Sequence, residues 1–183
     1  MKRLAVFAAI AVAAAVSAAS AQAPQPYAGF EARPIKALSD QQIGDLRAGR
    51  GMGLALAAEL NGYPGPVHVL ELAKPLTLSA AQQAKVQELF AAMTAETVPL
   101  GQTLIAQESE LDRQFANKTI TEPVLAASMQ AIGSTQAALR TAHLKYHLAT
   151  FAVLTQTQVQ RYAELRGYAG GTPAQHQHGG HGN

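Results

Sequence analysis

An all-α domain built on one long helical hairpin is predicted by three observations. The motif L-[ST]-x-x-Q occurs at Leu38-Ser39-Asp40-Gln41-Gln42, Leu78-Ser79-Ala80-Ala81-Gln82 and Leu154-Thr155-Gln156-Thr157-Gln158. Long stretches between these motifs keep apolar residues at helical spacing, and none alternates with the period of a strand. Each motif is a capping box. The hydroxyl accepts from a first-turn backbone N–H, the glutamine reaches back to the cap's own N–H, and the preceding leucine can act as a hydrophobic staple.

Residues 1–21 read as a signal peptide. Lys2 and Arg3 precede the apolar run Leu4 to Val16, and small residues follow. Such a segment is too short and wrongly flanked for a membrane span. Cleavage after Ala19-Ser20-Ala21 leaves Gln22 first, whereas Ala21-Gln22-Ala23 would leave Pro24, which suits the peptidase poorly. The chain is therefore expected in the periplasm, soluble after cleavage. Residues 22–37, with Pro24, Pro26 and Pro34, are expected to be an extended or disordered arm.

Residues 38–168 form the expected helical domain. A first helix over 40–60 is loosened by Gly49-Arg50-Gly51-Met52-Gly53, since each glycine costs about 1 kcal/mol against alanine. Asn61-Gly62-Tyr63-Pro64-Gly65-Pro66 breaks the chain before a short helix, Val67 to Ala73. The helix from Ser79 runs to about Asn117, with Val86, Leu89, Phe90, Met93, Leu100, Leu104, Leu111 and Phe115 facing inward and a kink expected at Pro99. Asn117-Lys118 reverses the chain. Thr121-Glu122-Pro123 caps a return helix to about Leu154, with Leu125, Met129, Ile132, Leu139, Tyr146 and Phe151 inward. So short a loop makes the two helices antiparallel neighbours. A last helix, 156–167, ends at Gly167, and residues 169–183 form a flexible histidine-rich tail.

Composition excludes several classes of function. Two of the 14 basic residues, Lys2 and Arg3, fall in the leader, so the remainder balances the 12 acidic residues. No basic field favours nucleic acid or anionic lipid. Cysteine is absent, so neither disulfides nor thiolate chemistry contribute, and methionine thioether is the only sulfur ligand. No phosphate-binding glycine loop is present, and His143-Leu144-Lys145-Tyr146-His147 lacks the glutamate that a zincin uses as its base. No catalytic residue is expected.

Histidine carries the remaining chemistry. His143 and His147 lie one helical turn apart and share a face, the arrangement in which two imidazoles chelate zinc, nickel or copper. Two ligands rarely suffice, so His68 and Glu71 on the short helix, or Met52 in the glycine-loosened segment, are the candidates to complete a site. Core-edge packing is the competing reading of the pair, and anchoring of the short helix that of His68. A second candidate is His176, His178 and His181. Set among glycine and glutamine, they cannot pack a core and bind metal only weakly.

The motifs at 78 and 154, flanking a long hairpin behind a signal peptide, resemble the Spy/CpxP superfamily over about residues 38–168. It includes ATP-independent periplasmic chaperones, zinc-responsive proteins of the ZraP type and heavy-metal sensors of the CnrX type. The resemblance implies a hooked four-to-five-helix protomer and a homodimer. It also implies a metal-binding pair late in the return helix, where His143 and His147 stand and the related pattern is H-x-x-x-M. No histidine precedes His68, so the amino-terminal histidines of the sensor type are missing, and the near-neutral chain lacks the basic cradle of the best-known chaperone. The expected function is non-enzymatic binding of a divalent transition metal, zinc first, for tolerance or sensing. The alternative is a holdase for unfolded envelope proteins. Further partners would be those clients or a membrane sensor.

Overall fold

The three capping boxes set the helix starts. The protein, described here from a computed structural model over residues 25–168, is all-helical in that range. Ser39, Ser79 and Thr155 each accept from the glutamine amide N–H three residues on, at 3.2 Å, while the glutamine side chain accepts from the cap's N–H at 2.9 to 3.0 Å. Helices α1 (Asp40–Arg47), α4 (Ala80–Ala116) and α6 (Gln156–Leu165) follow. Between them lie the single turn α2 (Leu56–Glu59), the short α3 (Pro66–Glu71) and the return arm α5 (Glu122–Val153). Thr121 makes no side-chain cap, so Pro123 in the first turn and Glu122 are what favour that start.

The dominant packing is α4 against α5, the expected hairpin, closed by Asn117 and a left-handed Lys118. Pro99 lies inside α4 without ending it. Two apolar cores sit along the hairpin. Ile35, Leu38, Ile43 and Leu46 cover Leu104, Ile132 and Leu139 towards its middle. Val69, Leu76, Val86 and Tyr162 fill its base, with Leu78 and Leu154, the two staple leucines, packed against them.

Also at the base, the second and third capping boxes are stitched together. Gln82 Nε2 donates to Gln158 Oε1 at 2.8 Å and to the Val153 carbonyl at 3.0 Å, while Gln158 Nε2 reaches the Leu76 carbonyl at 3.3 Å. The same glutamine that starts each helix thus also joins α4 to α6.

Three expectations are corrected. The helix expected over 40–60 ends at Arg47, because Gly49 and Gly53 take positive φ and the chain rebuilds only one turn at Leu56–Glu59. The arm expected to be extended or disordered carries a 3₁₀ turn at Phe30–Ala32 and buries Ile35, and Lys36 bonds Asp112 through its backbone and its ammonium. Phe90, Phe115 and Met129, expected inward, are exposed. Near the tip, where only two helices run, no third layer covers Phe115 and Met129. Residues 1–24 and 169–183, where the leader and the histidine-rich tail are expected, lie outside the described residues. Among those described, no helix is long and apolar enough to cross a membrane.

Candidate metal centre

Between the two cores the hairpin is not filled with aliphatic side chains. Met93 on α4 and His143 and His147 on α5 line a cavity of about 170 Å³, roofed by Gly51, Met52, Gly53, Ala55, Leu56 and Glu59 and by Gly65, Pro66, Val67 and His68. The break after Arg47 brings the glycine segment over the hairpin. The Gly65-Pro66 start of α3 brings His68 to the same opening.

Both imidazoles of the pair are buried, at 3 % and 8 % exposure. His143 Nε2 has no hydrogen-bond partner among the described residues. A buried polar atom without a partner costs about 1–3 kcal/mol, so packing alone does not explain this ring. His147 Nδ1 lies 2.7 Å from the Tyr63 carbonyl. A carbonyl only accepts, so Nδ1 is the donor, and in the neutral ring the free ligand nitrogen is Nε2. A Cβ on Gly65 would stand 2.9 Å from that Nε2 and one on Gly51 3.6 Å from His143 Nδ1. Gly65 therefore lets the backbone pack against the His147 ring where a side chain would collide, whereas at Gly51 a methyl would make only ordinary contact. The orphaned nitrogen, at the wall of a cavity, is what a small cation could use.

Behind His147 stands Glu59, a residue the sequence offered no reason to select. Its Oε2 lies 3.7 Å from His147 Nδ1 and accepts from Gly65 N–H at 3.2 Å. Its Oε1 accepts from the Tyr162 and Tyr168 hydroxyls at 2.5 and 3.2 Å, with Arg166 at 3.6 Å. Burial first, and the bond to Glu59 second, push the Tyr162 phenol far above its usual range. It therefore stays a donor. The His147 ring itself is oriented by the Tyr63 carbonyl, and Glu59 fixes the Gly65 backbone and the two tyrosines around it.

The predicted residues divide as follows. His143, His147, His68 and Met52 line one cavity, and Met93, not anticipated, lines it too. Glu71 does not. Three residues along a short helix put its carboxylate on the outer side of His68, where Oε2 accepts from His68 Nδ1 at 2.8 Å in an exposed pair. It lies outside the cavity lining and is occupied by His68. Among the described residues no three His, Asp or Glu side chains converge as a metal-binding set. His176, His178 and His181 lie outside the described residues. Glu59 and Met93 carried no motif. The only sequence signal for Met93 was its place on the apolar stripe, which core packing equally explains.

Burial, and secondarily the neighbouring His147, hold the His143 pKa below its ordinary value. It is therefore neutral and competent to bind metal at neutral pH without releasing a proton. The unfolded chain takes up the proton first as pH falls, so the stability conferred by the neutral buried ring is complete above the unfolded pKa of about 6.5 and is lost below it. Urea midpoints should fall between pH 7 and 5, and His143→Gln should flatten that decline. An equal slope in the variant would assign the pH dependence to other groups.

No family profile, curated protein sequence or solved structure matches this chain.

Proposed function

We propose that this chain is a non-enzymatic periplasmic stress protein that binds a divalent heavy metal, zinc, nickel or copper, through His143 and His147, in metal tolerance or sensing. One observation carries the reading: the buried, unpartnered His143 Nε2 beside a His147 whose Nδ1 is tied to the Tyr63 carbonyl. The leader-like start and the resemblance to the Spy/CpxP superfamily support the compartment and the class. Calorimetric titration with each ion tests the reading, in a full chain whose tail histidines are replaced by His176→Ala, His178→Ala and His181→Ala. Adding His143→Ala and His147→Ala should weaken binding by about tenfold or more, and unchanged isotherms would overturn the assignment.

A second reading, an ATP-independent holdase for unfolded envelope proteins, has its own observation. Phe115, Val124 and Met129 stand exposed near the hairpin tip, an apolar edge of the kind that binding surfaces use. Protection of a denatured client in the presence of chelator favours the holdase. Absence of protection with and without zinc leaves metal binding alone. A homodimer is the oligomer this reading expects, and a membrane sensor its signalling partner.

A further inference from the structure

We propose that the cavity at His143 and His147 takes cuprous copper, a soft monovalent cation, in preference to a divalent ion, with the thioether sulfurs of Met52 and Met93 completing the donor set. This rests on the reading that the two histidines hold a metal, and it replaces the divalent charge of that reading with a softer monovalent one.

The donor inventory is the first argument. Glu59, the one carboxylate in the cavity lining, already accepts from Tyr162 and Tyr168 at Oε1 and from Gly65 N–H at Oε2, with Arg166 balancing its charge. The other acid, Glu71, lies outside the lining and faces His68. What remains is electrically neutral: imidazole nitrogens and thioether sulfur. The solvation lost on entering such a cavity grows with the square of the ionic charge, so a monovalent ion loses about a quarter of what a divalent one loses. No anionic ligand offsets the difference. Thioether is a poor partner for zinc or nickel and a good one for cuprous copper.

Placement is the second argument. The chain has four methionines, and two of them reach this cavity from opposite sides. Met93 is buried within α4. Met52 sits in the glycine segment with a φ of 43°, in the left-handed region that an unbranched side chain adopts only at a cost. Met52 is 40 % exposed, so core packing is a weak reason for that backbone. A thioether at the cavity wall, available to an ion beside His143, is a stronger one.

Competition titrations test the proposal on the full chain with the three tail histidines replaced by alanine. Cu(I) is supplied as its bicinchoninate complex under argon with ascorbate, and Zn(II) against a chromophoric chelator. Cu(I) should bind about 100-fold more tightly than Zn(II), and Met52→Leu with Met93→Leu should weaken Cu(I) about tenfold or more while leaving Zn(II) nearly unchanged. Tighter Zn(II), or Cu(I) affinity indifferent to the methionines, overturns the proposal and leaves the histidine reading standing. Binding of neither ion overturns both. X-ray absorption at the copper edge of the unsubstituted methionine sites needs no folded variant. Sulfur in the first shell supports the assignment, and nitrogen and oxygen alone overturn it.

Discussion

Glu59→Ala should destabilise the fold by about 3–5 kcal/mol, the usual consequence of removing one member from a buried polar network. The carboxylate is only 9 % exposed, and its removal strands the Tyr162 hydroxyl and the Gly65 N–H while leaving Arg166 without its counter-charge. Tyr162 is among the most buried side chains in the molecule and belongs to the basal core, so the orphaned phenol cannot turn to water without opening that core. Against a domain stability of about 5–15 kcal/mol, this is a large fraction. Glu59→Gln keeps one acceptor for Tyr162 and should cost less. Urea unfolding measures both. A loss below about 1 kcal/mol for the alanine variant would mean that water takes over the abandoned partners.

Gly101→Ala should cost about 2–3 kcal/mol although it removes a glycine from the middle of a helix. The added methyl would lie 2.3 Å from the Leu46 carbonyl oxygen and 2.9 Å from its carbon. Those are backbone atoms at the end of α1, which cannot swing aside as a flexible side chain would. Helix propensity alone predicts the opposite sign, a gain of about 1 kcal/mol. Gly133→Ala on α5 isolates that term, because nothing lies within 4 Å of the new methyl, and it should stabilise by about 0.5–1 kcal/mol. Thermal melts of the two variants therefore shift in opposite directions. Similar shifts would show that α1 moves freely on α4.

Short-range chemistry made most of the fold legible in the sequence. A capping box is a contract among four consecutive residues, so Ser39, Ser79 and Thr155 announced their helices to the residue. Asn117-Lys118 and Gly167 ended theirs for similarly local reasons. Contacts made across the chain were hidden. Ile35 is anchored by residues from α1, α4 and α5, and no local pattern marks a lone isoleucine after Pro34 as core. Half of the candidate site was readable, because His143 and His147 share a face by helix geometry alone. Glu59 was not, since its role comes from Tyr162, Tyr168 and Gly65 meeting it from three segments. Glu71 misled because spacing along a helix tells which residues are neighbours and not which of them faces the hairpin.

The reciprocal amides of Gln82 and Gln158 have a dynamic consequence. They tie the entry of one arm to the segment that follows the other, so the hairpin is joined by the chain at Asn117-Lys118 and by side-chain amides at its base. Its ends are already held together, and the entropy of bringing them there does not have to be found again each time the arms part. Local loosening is therefore cheapest in the outer half of the hairpin, where two helices have only each other, and costs more towards the base. The cavity lies on the quiet side of that gradient. Its rings should keep their spacing while the far end loosens, which is the division of labour that the proposed metal site and the proposed client edge would need.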